Sequence, residues 1–290
     1  MEQLLRDEIR DYVLESPDNR FPGSDARYFD EPLIGFAAAR DPLFSQFITV
    51  IGGYHLTPAE IMENCYGAVL GEAVTVICWV LPITRSTREG NRRQERTPSR
   101  EWAFTRAHGE QFNTFLRMFV VDLLRQYGIQ AVAPLLSGMW SPVREEPSGL
   151  SSTWSERHAA YVAGLGTFSL NDGLITEKGI AHRCGSVITD TPIPPTPRRE
   201  GADHRGNCLY FSQGSCGLCI QRCPVGAISW QGHDKEKCRE YVYGELRATV
   251  GQSYGIMETG CGLCQTRVPC EACIPPGTGQ KKGEGQVSLC

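Results

Sequence analysis

The period of the apolar positions changes several times along the first 190 residues, and each change predicts an element. Leu4, Leu5, Ile9, Val13 and Leu14 recur at helical spacing, so the chain opens on a predicted amphipathic helix. Residues 47–51 and 74–81 are rich in β-branched and aromatic side chains and predict buried strands. Between them, Thr57-Pro58-Ala59-Glu60 has the form of a helix cap and first turn. Residues 84–100 hold six Arg and two Glu without periodic apolar positions, which reads as a long exposed loop. Phe112, Phe115, Leu116, Phe119, Val120, Leu123 and Leu124 then recur at three and four, predicting a long core helix that stops at Gly128. Residues 129–136 suit a further strand. Thr153-Trp154-Ser155-Glu156 matches the capping box of a helix running through Val162 to Gly164. Residues 185–190 close this region as a strand.

Strands and helices interleave, which predicts an α+β domain of α/β-like character over residues 1–200, with the stretch TPIPPTPRRE as a linker. Residues 201–275 form a second, cysteine-bearing unit. Residues 276–290 have little to bury and read as a flexible tail.

Composition narrows the function classes. Lys plus Arg number 29 against 33 Asp plus Glu, a net charge of -4, which argues against broad nucleic-acid binding. The longest strongly apolar run, residues 73–81, is far short of the roughly 20 residues of a spanning helix. The acidic first 17 residues lack the basic and apolar regions of a secretory signal, so a cytoplasmic protein away from membranes is expected.

Cysteine is the outlier: of 13, nine fall between Cys208 and Cys273. A disulfide framework belongs to short exported chains, so metal ligation is the physical use left for this cluster. Cys216-Gly-Leu-Cys219-Ile-Gln-Arg-Cys223-Pro224 reproduces the last three cysteines and the proline of the bacterial ferredoxin run C-x2-C-x2-C-x3-C-P. Gln213 stands where the first cysteine would be, and Cys208 lies five residues upstream of it. The second run is Cys261-Gly-Leu-Cys264, then Cys270 and Cys273, with Cys238 alone between the runs.

In two-cluster ferredoxins the cysteine before proline serves the other cluster. On that rule one 4Fe-4S cluster takes Cys208, Cys216, Cys219 and Cys270, and the other takes Cys223, Cys238, Cys261 and Cys264. Cys273 is a rival for the place of Cys270. Zinc is the competing reading, since paired C-x2-C knuckles also build four-cysteine sites, although zinc does not need the C-x3-C-P element. Cys65 and Cys78 sit among apolar residues and read as buried small hydrophobes.

The cysteine unit serves electron transfer, yet some 200 residues precede it. The densest candidate partner motif there is ERHAAYVAGLGTFSLNDGLIT, residues 156–176. Its Gly164-x-Gly166 follows a helix and lacks the third glycine of a dinucleotide loop. Together with GSVITD, C-x2-C-x3-C-P, Lys237-Cys238 and YG-x5-C-x2-C, this motif resembles the epoxyqueuosine reductase family and the related reductive dehalogenases. The likeness covers roughly residues 100–275.

That resemblance implies a nitroreductase-like domain holding cobalamin, followed by a ferredoxin-like domain with two 4Fe-4S clusters. Electrons from a low-potential donor such as ferredoxin or flavodoxin would pass through the clusters to cobalt, which reduces a small-molecule substrate. By position, Trp154, Ser155, Gly164, Leu165, Gly166, Thr167, Phe168, Leu174, Ile175 and Thr176 would lie against the corrin.

Two departures follow. The family's proton-donating aspartate precedes the Glu-Arg pair, whereas here residues 149–154 contain no carboxylate. The sequence also ends after the second cysteine run, without the helical repeats that grip transfer RNA, so a transfer-RNA substrate is not expected. His158 and Tyr161 share a helix face with Trp154 and are the candidate proton donors. Arg157 is the candidate for holding an anionic group, and Glu156 is expected to serve the helix cap. Two rivals stand beside the reductase: an electron carrier whose first domain docks a partner, and a protein that reduces or carries cobalamin.

Overall fold

The computed structural model describes residues 1–67, 73–145, 149–198 and 203–278. The first half consists of α1 (Glu2–Glu15), β1 (Leu33–Ala38), α2 (Pro42–Val50), α3 (Pro58–Tyr66), β2 (Thr75–Pro82), α4 (Arg85–Arg92), α5 (Arg100–Gln126) and β3 (Ala131–Val132). There follow β4 (Pro142–Glu145), β5 (Gly149–Ser152), α6 (Glu156–Val162), β6 (Gly166–Phe168), β7 (Leu174–Thr176) and β8 (His182–Thr189).

Strands β1, β2, β8 and β3 form one antiparallel sheet in that order. Alternation along β2 sends Ile77, Trp79 and Leu81 into a core with α1 and α5, while Val76 and Cys78 face a second core with α2, α3 and α6. The sheet is thus covered on both faces by helices, a mixed helix and sheet architecture. Because β3 pairs with β8 only at Thr189 and Ile188, the rest of that edge needs other partners. Asn113 Nδ2 (2.9 Å) and Arg117 Nη2 (3.2 Å), both on α5, donate to Cys184 O there.

The cysteine-bearing part has short elements: α7 (Leu209–Gln213), α8 (Leu218–Arg222), the hairpin β9 (Ile228–Ser229) and β10 (Gly232–His233), and α9 (Lys235–Arg239). Wide π-helical turns at Glu240–Glu245 and Arg247–Gly251 follow. Among the described residues no helix is long and apolar enough to cross a membrane.

Several sequence expectations hold. The capping box at Thr57 is complete, with Thr57 Oγ1 accepting from Glu60 N and the Glu60 carboxylate accepting from Thr57 N. The first helix, the long helix and the strands around 74–81 and 185–190 form as read.

Others are corrected. Residues 47–51 are not a strand: Asp41 caps and Pro42 starts α2, and the helix buries Phe44 and Phe47. Residues 84–100 are not a solvated loop, because α4 presents polar Thr87 and Asn91 as its buried face. The strand at 129–136 shrinks to two residues before a 3-10 turn at Pro134–Leu136. The α6 cap is Ser155 rather than Thr153, and Glu156 bonds Arg117 and Ser186 instead of the helix start. Cys65 is exposed, while Cys78 is buried as expected. The Pro-rich stretch is held along β1, where Thr196 Oγ1 accepts from Phe36 N (2.9 Å) and Thr196 N donates to Phe36 O (2.9 Å). Most of the expected tail, from residue 279 on, lies outside the described residues.

Candidate functional site

The first four cysteines meet through chain segments far apart in sequence. Cys208 precedes α7, Cys216 and Cys219 flank the start of α8, and Cys270 comes from the second run. All four line one cavity, together with Leu170, Ile175 and Val268. Ile180 N donates to Cys270 O (2.8 Å), tying the second run to the chain after β7. Burial pushes the Cys219 thiol up to about 12, with Cys208 and Cys216 adding to the rise. Burial likewise raises Cys270, and its neighbours are again Cys219, Cys208 and Cys216. Metal binding to such thiols would replace their protons.

Cys223, Cys238, Cys261 and Cys264 form a second group. Burial raises Cys261 to about 12, with Cys238 and Cys223 contributing. Burial also raises Cys264, helped by Cys261, Cys238, Cys219 and Cys223. Cys219 in that set shows that the two groups adjoin. Among the described residues no three His, Cys, Asp or Glu side chains close on a single-ion site. The first-run glutamine, Gln213, donates from Nε2 to Gly277 O (2.7 Å).

The hairpin of β6 and β7 stands between the first cysteine group and the face of α6. Phe168 and Leu174 pack with Val80, Ala160, Tyr161, Leu165 and Cys184 on one side. Ile175 packs with Cys208, Cys219 and Cys270 on the other. Thr167 Oγ1 accepts from Asn207 N (2.8 Å) and Ile175 O from Asn207 Nδ2 (2.9 Å), so these two hairpin residues are occupied on the cysteine side. Thr176 is buried and closes the turn to Gly179. Gly164 has φ 75°, the left-handed helix end that glycine tolerates. At Gly166 a Cβ would sit 2.5 Å from Ile175 O, so no side chain fits without opening the hairpin.

Just ahead of the α6 cap, Trp154 is buried, stacks on Phe44 (5.9 Å) and donates to Ser186 Oγ (3.0 Å). Ser155 Oγ lies 2.7 Å from His158 Nδ1. The His158 ring sits between Phe47 (4.8 Å) and Phe168 (4.7 Å), and Tyr161 meets the same Phe168 (5.6 Å). Thus His158, Tyr161, Leu165, Phe168 and Leu174 share one neighbourhood. Arg157 is exposed and donates to Asp172 O.

Burial, Arg157 and His55 together depress His158 to about 3, which leaves its ring neutral near pH 7. Burial raises the Tyr161 phenol, which keeps its proton.

Further polar groups surround this site. Arg117, almost fully buried, spans Glu110 (3.1 Å) and Glu156 (3.2 Å). Burial holds the Glu156 carboxyl above its ordinary value against Arg117 and Ser186. On Glu110, burial is outweighed by Arg183 and Arg117, so its carboxyl is lowered. Glu110 and Arg117 are seven apart on one helix, a spacing that could have flagged the pair. His182 Nε2 donates to Leu174 O (2.7 Å), which leaves Nδ1 to accept from the Cys184 thiol 3.5 Å away. His55 is buried with neither ring nitrogen hydrogen-bonded and stacks on Trp154 (6.1 Å); nothing in its sequence context marked it.

No protein-family model matches the chain. An epoxyqueuosine reductase of Bacillus anthracis is 33% identical over 120 residues, which cover 40% of this chain and 29% of the relative. The matched part therefore spans under a third of that relative's length. An epoxyqueuosine reductase solved with an epoxyqueuosine-modified tRNA-Tyr stem loop aligns at TM-score 0.45 and 18% identity, covering 93% of this chain and 66% of that one. A reductive dehalogenase structure concerned with B12-dependent dehalogenation aligns at TM-score 0.48 and 16% identity, covering 84% of this chain and 30% of that one. The resemblance carried by the motifs agrees with the similarity to the Bacillus anthracis epoxyqueuosine reductase over those 120 residues.

Proposed function

We propose, with the likeness to the epoxyqueuosine reductases as premise, that this protein is an iron–sulfur reductase passing electrons through two 4Fe-4S clusters to a cobalamin-type cofactor. The observation that carries the reading is the convergence of Cys208, Cys216, Cys219 and Cys270 on one cavity. Sulfurs spread around a cavity suit a multi-iron core, whereas a zinc site needs all four within about 2.3 Å of one point. Cys223, Cys238, Cys261 and Cys264 are the ligands of the second cluster.

The aromatic and apolar face of Tyr161, Leu165, Phe168 and Leu174 fits a broad corrin ring, and Arg157 at its margin fits a polar substituent. Cobalamin, when bound, supplies a low-valent cobalt as the reductant. Only the β6–β7 hairpin separates that face from the first cysteine group, so electrons enter at the second cluster and leave from the first. A ferredoxin or flavodoxin is the donor class.

Of the two candidate proton donors, the protonation states favour Tyr161. His158 is neutral, so it has no imidazolium proton to give and serves to orient. The Tyr161 Oη–H delivers the proton in place of the missing aspartate. The substrate is a reducible small molecule; presenting an epoxide-bearing nucleoside both free and within a transfer-RNA stem loop decides between it and a nucleic acid.

The test is iron, cobalt and zinc per chain after anaerobic purification, cluster reconstitution and incubation with cobalamin. About eight irons with about one cobalt support the reading. Eight irons without cobalt favour the electron carrier, and zinc in place of iron overturns both.

A further inference from the structure

Arg222 is 4% exposed, yet its guanidinium does not sit in a buried ion pair. Nε donates to Leu263 O (3.2 Å) and Thr266 O (3.1 Å), the carbonyls on either side of Cys264. Nη1 and Nη2 donate to Gln94 O (2.8 Å) and Asn91 O (3.4 Å) from the α4 region. Its carboxylate neighbour, Glu95, is 3.7 Å away, 66% exposed and shared with Arg267. Arg222 also immediately precedes Cys223, which places it between the two runs that supply the second group.

A buried cation solvated by carbonyl dipoles is costly unless a buried anion accompanies it. Four thiolates outweigh the charge of a 4Fe-4S core, so the ligated cluster is that anion, and reduction adds one more negative charge to it. A nearby fixed cation therefore favours the reduced state. Both groups touch the aliphatic cluster of Leu170, Ile175, Ile180, Ile228 and Val268, through Cys208, Cys219 and Cys270 of the first and Cys223 and Cys264 of the second, so apolar packing does not tell them apart. The buried Arg222 guanidinium, bonded to the carbonyls of the second run, does.

We infer that Arg222 is a positioning residue for electrons: it makes the cluster of Cys223, Cys238, Cys261 and Cys264 the first of the two to be reduced. Each cluster takes one electron from a low-potential reductant, here dithionite, without any bond change in the protein. The inference rests on the two-cluster reading above.

The test is a redox titration followed by electron paramagnetic resonance on the reconstituted full chain. Cys264→Ser leaves the first cluster alone and Cys219→Ser leaves the second, which assigns the two midpoints. The expected result is a higher midpoint for the second cluster. In Arg222→Gln that midpoint falls, the reduced-to-oxidised ratio at fixed potential dropping about tenfold, which is about 59 mV for one electron. Arg222→Lys restores most of it, and the first cluster's midpoint stays.

An equal or lower midpoint for the second cluster overturns the inference, and that comparison needs no Arg222 variant to fold. So does an unmoved midpoint in Arg222→Gln, or an equal fall in both clusters. A wild-type chain that cannot hold two clusters overturns the underlying reading instead, and the iron content distinguishes that outcome.

Discussion

The two cysteine groups each bring four thiols into unlike surroundings. The first is walled by aliphatic side chains from both halves of the chain, with the β6–β7 hairpin as its inner wall. The second is held by polar bonds: Asn91 Nδ2 to Cys261 O (3.3 Å), Asn171 Nδ2 to Cys264 O (2.9 Å), and the buried Arg222. Sulfur spacing alone makes the groups look equivalent. Cys223 and Cys264 share the aliphatic cluster with the first group, so the difference lies in hydrogen bonds and fixed charge, which help set where an electron rests.

The strongest way to break this comparison is to remove a sulfur. Cys219→Ser and Cys264→Ser are each expected to cost about four of about eight irons by elemental analysis. Loss of all iron from either would mean that the groups are one unit. A control that spares both is Arg117→Met, which leaves buried Glu156 and Glu110 without their shared cation. It should lower unfolding stability by about 3–5 kcal/mol in denaturant melts, with the iron content kept.

Acid separates the sheet core from the cysteine groups in another way. Burial depresses His55 to about 4, so its neutral ring contributes stability above the unfolded value near 6.5. That contribution is lost as the pH falls from 6.5 through 4, on the order of 3 kcal/mol at full loss. His55→Phe should flatten the fall in melting temperature over that window, while the visible absorbance of the clusters changes as in the wild type.

A smaller effect sharpens the contrast between the groups. Asn91→Ala leaves Ser99 N without its acceptor and takes the Nδ2 donor from Thr266 Oγ1 and Cys261 O, which should cost about 1–3 kcal/mol. It should hasten chelator bleaching of the second cluster only. The smallest effect is that of Arg85→Ala, which removes an exposed pair with Glu89 and should leave the midpoint of denaturant unfolding where it is in the wild type.

How far these regions were legible depends on the kind of signal each leaves. The cap at Thr57 and the apolar stripe of α5 are local and periodic, so both were readable. The β-branched run at 47–51 misled because the deciding residues, Asp41 and Pro42, lie outside it. The arginine-rich stretch misled for the opposite reason. Helix α4 buries Thr87 and Asn91 against the second cysteine run, and a polar buried face has no hydrophobic period. At the candidate site, the motif from 154 to 176 was read as one surface. Hairpin pairing puts Phe168 and Leu174 on one side and Ile175 on the other.

The sequence by itself determined the number and spacing of the cysteines on which the proposed ligand sets rest, because these are covalent facts of the chain. It also determined the helices whose caps and stripes are local. Only the tertiary structure decided that Cys270 joins Cys208, Cys216 and Cys219 around a cavity. The same is true of the seat of Arg222 beneath Cys264 and of the span of Arg117 between two carboxylates. These contacts join residues 40 or more positions apart in most cases, and their energies depend on burial, which exists only once the chain has folded.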